Sequence, residues 1–125
     1  MEEIKVGTYV RTKEGCIFQI VGQSKRVDHT LYDTDNFGIC SNTVLEEITK
    51  KQSKNILDLI EEGDYVSGYN VIEINKHFEV QPYRISILVY KSNYHEQWIN
   101  INNDNLKDIV TKEQFNSGKY IVGDE

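Results

Sequence analysis

Three histidines, two cysteines and twenty acidic residues are the groups in this chain that could carry chemistry. Zinc needs paired ligands, such as two cysteines about two to four residues apart. His29, His77 and His95 share no helical spacing, and neither Cys16 nor Cys40 lies near a histidine in sequence. The segment Asp33-x-Asp35-x-Phe37-Gly38 has the outline of a calcium loop. However, its fifth position is Phe37 and its twelfth is Val44, where oxygen ligands are required. No Gly-x-Ser-x-Gly turn offers a strained nucleophile, and the eight glycines stand singly at turns without forming a phosphate loop. The carboxylate pairs Glu2/Glu3, Glu46/Glu47 and Glu61/Glu62 lie in polar stretches and read as solvated charge. The expectation is a protein that is not an enzyme, with no metal and no cofactor.

One stretch offers binding chemistry instead. Tyr83, Tyr90, Tyr94 and Trp98 are interleaved with Arg84, Lys91 and His95. Aromatic and cationic side chains on one sheet can anchor a protein interface or stack nucleobases. These seven residues are the expected partner-binding set. The opposing reading is that most of the aromatics fill a small core.

Charge ranks the partners. The formal net charge is −6, with only three arginines, Arg11, Arg26 and Arg84. Binding to a nucleic-acid backbone draws its affinity from neutralising phosphates, so nucleic acid ranks below protein as a partner. The amino terminus, Met-Glu-Glu-Ile-Lys, lacks the basic and apolar regions of a signal peptide. No apolar run approaches the ~18 residues of a membrane span. The expected location is the cytoplasm of a bacterial host, where both cysteines stay reduced and serve as small buried hydrophobes. Oligomeric state is not readable.

The elements that would position these groups come from an internal repeat. Val6-Gly7-Thr8-Tyr9-Val10 recurs as Glu62-Gly63-Asp64-Tyr65-Val66, and each copy leads through a turn into an apolar run. Farther on, Leu45–Gln52 resembles Leu106–Gln114. Alternation over Val71–Ile74 and Trp98–Asn102, and the β-branched run Arg84–Tyr90, predict strands. Thr49-x-x-Gln52 and Thr111-x-x-Gln114 fit capping boxes and predict a short helical turn in each copy. Lys119–Val122 is expected to be a closing strand, and Ile56–Ile60 a closing strand in preference to the alternative of a continued short helix. The predicted fold is therefore mainly β: two tandem SH3-like small β-barrel units, 1–55 and 56–125, packed as one compact body.

The stretches Gly7–Gly15, Ser53–Val66 and Ile109–Phe115 carry a resemblance. They are similar to short, mostly uncharacterised proteins encoded by phages and prophages of Firmicutes, clostridia in particular. The resemblance implies a phage or prophage setting and assigns no catalytic residue. In that setting, a small acidic chain without enzymatic motifs is expected to bind and block a host antiviral defence protein, such as a CRISPR effector. Two alternatives are an SH3-like adaptor for nucleic acid or a ribonucleoprotein, and a sponge for a small signalling nucleotide.

Overall fold

Two-residue alternation of apolar and polar side chains is satisfied by pleated strands, which send successive residues to opposite faces. The computed structural model describes residues 4–77, 79, 83–92 and 95–118, excluding the side chains of 91, 92 and 116–118. It is mainly antiparallel β, and its chain divides into two units, one ending at Leu59 and one beginning at Ile60.

The first unit contains β1 (Tyr9–Thr12), β2 (Ile17–Lys25), β3 (Thr30–Thr34), β4 (Ile39–Ser41), α1 (Asn42–Ile48) and β5 (Thr49–Ser53). A single 3-10 turn, Ile56–Leu59, follows. The sheet order is β4-β3-β2-β1-β5, and every pairing is antiparallel. Inward-facing Val10, Phe18, Ile20, Tyr32 and Cys40 meet Ile4 and the helix residue Leu45 in one cluster. Leu45 is the sole buried residue of α1. Seven residues are too few for a stable isolated helix, so that anchor, worth roughly 2–3 kcal/mol of apolar burial, holds α1 in place.

Two local expectations are corrected. The helix lies ahead of Thr49, and Thr49–Ser53 is strand. Ser41 supplies the cap by accepting from the Val44 amide at 3.3 Å, and the Lys-Lys-Gln-Ser run pairs along β1. Tertiary strand pairing has overridden local capping preference here. Ile56–Ile60 likewise opens with a 3-10 turn, the short-helix alternative, in place of the preferred closing strand. Asn55 Oδ1 accepts from the Leu57 amide at 3.1 Å, and the resulting turn buries both Leu57 and Leu59 completely.

The second unit contains β6 (Tyr65–Val66), β7 (Tyr69–Asn70), β8 (Glu73–His77), β9 (Arg84–Ser92), β10 (His95–Asn102), β11 (Ile109–Val110) and α2 (Lys112–Gly118). It forms two three-stranded sheets, β10-β9-β8 and β11-β6-β7. Ile85, Ile87 and Val89 alternate along β9 at full burial, with Val66, Val71 and Ile101 also in the core. The Thr111 cap forms as expected, its Oγ1 accepting from the Gln114 amide at 3.2 Å. Lys119–Val122 lies outside the described residues. Among the described residues, no strand pairing closes either unit into a barrel.

The sequence repeat has a hydrogen-bond counterpart. Gly7 and Gly63 both adopt positive φ, 97° and 94°. Gly7 N–H donates to Ile20 O and Gly63 N–H to Val71 O, each at 2.8 Å. The next amides, of Thr8 and Asp64, donate back to Lys5 O and Glu61 O, each at 3.1 Å. β1 then sits between β2 and β5, as β6 sits between β7 and β11. The register, however, differs from the sequence match. Gln52 opposes Val10, and Ile109 opposes Val66, so the structure matches Gln52, not Ile48, to Ile109. By this register, the 3-10 turn and α2 occupy corresponding places after their strands.

The two thiols make a direct check on the first unit. Cys40 is 5 % exposed, and burial pushes its thiol above the ordinary value of 9.0. A raised folded-state pKa favours folding while the thiol is protonated. That contribution is fully present below the unfolded value and is lost as pH rises through the folded one. Stability of this unit should therefore decline above pH 9.0. At neutral pH a thiol reagent should modify the half-buried Cys16 promptly and Cys40 only on unfolding. Two thiols reacting at equal speed in the folded protein would contradict the packing described.

Candidate partner-binding face

The central strand β9 decides what the β8–β9–β10 sheet presents. With Ile85, Ile87 and Val89 directed inward, the pleat sends Arg84, Ser86, Leu88 and Tyr90 to the opposite face. Strand register then fixes their neighbours. Leu88 lies between Glu73 on β8 and Trp98 on β10, Ser86 between Asn75 and Asn100, and Arg84 between His77 and Asn102. Tyr90 opposes Glu96. The face is thus an aromatic and aliphatic ridge, Trp98, Leu88 and Tyr90, bordered by two carboxylates and backed by a polar row.

Exposure separates this ridge from core. Trp98 is 45 % exposed and Tyr90 57 %, although Tyr90 directly follows fully buried Val89 and Trp98 pairs with half-buried Leu88. The core reading therefore fails for these two. Of the residues singled out from sequence, Arg84, Tyr90 and Trp98 share this face. Tyr83 precedes β9 and is exposed, and His95 is exposed at the irregular start of β10. Lys91 lies in β9 with its side chain outside the described residues, as is all of Tyr94. Sequence reading missed Leu88, Glu73 and Glu96; the pleat parity shared with Tyr90 was the signal that could have found Leu88.

The polar row offers one arrangement with chemical content. His77 Nε2 lies 3.2 Å from Ser86 Oγ, and Ser86 donates to Asn100 Oδ1 at 2.8 Å. Activation of a serine requires its proton to face the imidazole. Here that proton is directed to Asn100, so the row acts as a cross-strand polar ladder that fixes the sheet's outer surface.

The other candidate groups resolve as local structure. Asp35 Oδ1 accepts from the Gln19 amide at 2.9 Å, and Thr34 Oγ1 accepts from the Phe37 amide at 2.8 Å, so the aspartate loop is an internally bonded turn. The His29 imidazole, 2.6 Å from Asp28, holds that carboxyl below its ordinary range in an exposed loop. Among the described residues, no three metal-ligating side chains converge. No helix of the described residues is long and apolar enough to cross a membrane.

Charge is distributed unequally. Up to Leu59 the sequence has eight basic and nine acidic residues; from Ile60 on it has six and eleven. The surplus acid therefore belongs to the unit that bears the aromatic face. One of the first unit's basic groups is also withdrawn from the surface: Arg11 is 0 % exposed, with Nη1 donating to Leu59 O at 2.9 Å. It cannot take part in a basic strip for phosphates. Comparison with known proteins yields no matching family model, no match among curated proteins and no match among solved structures.

Proposed function

We propose that this chain is a non-enzymatic binding protein of phage or prophage origin. It blocks a host antiviral defence protein, such as a CRISPR effector, through the outer face of β8, β9 and β10. The observation that carries the reading is the row Glu73–Leu88–Trp98, in which half-buried Leu88 lies between exposed Glu73 and exposed Trp98, with exposed Tyr90 and Glu96 beside it. An exposed tryptophan and tyrosine, held on rigid strands, are the residue types that dominate interface energetics. The flanking carboxylates and the acidic surplus of this unit suit a basic partner surface, such as a nucleic-acid-binding groove, and speed its encounter.

The SH3-like architecture belongs to the same proposal. It is supported by the order β4-β3-β2-β1-β5, the helix between β4 and β5, and the repeated turn chemistry around Gly7 and Gly63. The cytoplasm of the host cell is where such an inhibitor would act.

Trp98→Ala tests the reading. Removing a central aromatic anchor costs about 2 kcal/mol or more of binding, roughly a 30-fold loss. Capture of the host partner from nuclease-treated lysate should fall accordingly, while urea stability changes little because the side chain is half exposed. Guide RNA or target DNA should compete with the chain for the captured protein. Capture that disappears on nuclease treatment, or tight binding to bare RNA that weakens steeply with salt, would favour the adaptor alternative.

A further inference from the structure

The sheet edges formed by the described residues are unequally protected. A bare edge strand offers unpaired N–H and C=O groups to another chain, and short length, lysine, proline or a bulge ordinarily blunts it. β4, β7 and β11 are only three, two and two residues long, while β5 carries Lys50 and Lys51 and β8 carries Lys76. β10 has none of these protections along its length. It has eight residues, pairs with β9 alone among the described residues, and contains neither lysine nor proline. Its register is regular from Glu96 to Asn102, and the four residues His95, Glu96, Gln97 and Trp98 are all exposed.

The turn after β10 fixes which of its backbone groups face outward. Asn102 N–H donates to Asn105 Oδ1 at 2.7 Å, Asn105 Nδ2 to Asn100 O at 3.0 Å and Leu106 N–H to Asn102 O at 3.1 Å. Asn100 and Asn102 therefore direct these groups away from β9, and by the alternation of an antiparallel ladder Glu96 and Trp98 do the same. Asn105 occupies the edge at Asn100 O, which leaves the N–H and C=O of Glu96 and Trp98 open. That short run is its own complement. About a twofold axis at Gln97, Glu96 of one copy meets Trp98 of the other, and each such pair exchanges N–H···O=C bonds in both directions. Gln97 then faces Gln97, and no like charges are opposed. A twofold axis at Trp98 would instead need Asn100 O, where Asn105 already sits. We infer that β10 is a self-association edge, at which two copies of this chain pair antiparallel over Glu96–Trp98 and join their β8–β9–β10 sheets into one. So short a ladder makes a weak, transient dimer. The axis stands perpendicular to the sheet, so both Trp98 side chains remain on the same outer face, and the inference does not rest on the partner-binding proposal.

Sedimentation equilibrium of the full chain, in about 0.5 M salt to screen the net charge of −6, tests this. Half-association is expected at roughly 0.1–1 mM. Over the same range, hydrogen exchange at the Glu96 and Trp98 amides should slow as concentration rises, because each gains an acceptor only in the dimer. Glu96→Pro removes an outward N–H that β9 does not use, so the variant should keep its fold and stay monomeric. Gln97→Glu and Gln97→Lys each set like charges against one another at the axis and should weaken association about threefold or more. An equal mixture of the two should associate more tightly than either alone, a result that loss of folding could not imitate. A parent chain still monomeric at about 1 mM would overturn the inference. So would association that leaves the Glu96 and Trp98 amides exchanging freely, a Glu96→Pro chain that associates like the parent, or a mixture no tighter than its components.

Discussion

Asp64→Ala is expected to destabilise the second unit by about 3–5 kcal/mol, the cost of taking away a buried, fully engaged carboxylate. Asp64 is 0 % exposed, and both its oxygens are used: Oδ2 accepts from the Glu61 amide at 2.7 Å and Oδ1 from the Lys112 amide at 2.9 Å. One side chain thus ties the turn ahead of β6 to the first residue of α2. Its own backbone N–H and C=O add bonds to Glu61 and Val71. Alanine would leave two part-buried amides, of Glu61 and Lys112, without acceptors while the surrounding backbone stayed in place. Asp64→Asn should recover little, because its amide nitrogen would face a second donor where an oxygen now accepts. The single tryptophan, Trp98, lies in this unit, so its fluorescence in a urea titration reports the loss directly. Cys40 accessibility then serves as the first unit's separate gauge. A midpoint shift worth less than about 1 kcal/mol would show that the carboxylate does not hold this junction.

The same residue shows what the sequence made legible and what it did not. Gly63-Asp64-Tyr65-Val66 was recognisable as a copy of Gly7-Thr8-Tyr9-Val10, because a glycine at positive φ followed by a strand leaves a compositional mark. Mainly β structure followed from the same period-two runs. The role of Asp64 did not follow, since its second partner, Lys112, is 48 residues distant and only strand pairing brings it near. Thr49–Ser53 illustrates the same limit. Its local pattern fits a capping box, yet five polar and charged residues form an edge strand because β1 offers them partners. On the binding face, Trp98 and Tyr90 were visible as residue types. Their exposure was not, because it depends on which parity of β9 faces the core, and that parity is decided by Ile85, Ile87 and Val89 acting together. Glu73 joins the face only through its register with Leu88.

Arg11 is the case where residue type pointed away from its role, and its replacement should have an effect of similar size in the first unit. Counted from sequence, it is one of three arginines on which a basic surface could be built. In the fold it is on β1 between Ile17 and Lys51, wholly buried, and its guanidinium reaches the Leu59 carbonyl. Leu57 and Leu59 of the 3-10 turn are themselves fully buried, so the arginine secures the segment that ends this unit. Arg11→Ala combines a large void with the loss of a buried donor, and about 3–5 kcal/mol is expected. Arg11→Met restores most of the volume without the donor. It should recover the packing share and still cost about 1–3 kcal/mol for the carbonyl. Alkylation of Cys40 in the folded protein measures both, because each 1.4 kcal/mol raises the population of open molecules about tenfold. Alanine should accelerate Cys40 labelling by roughly 100-fold or more, and methionine by less. If both variants label at the parent rate, Arg11 is not what fixes the turn, and its burial would have to be regarded as tolerated, not structural.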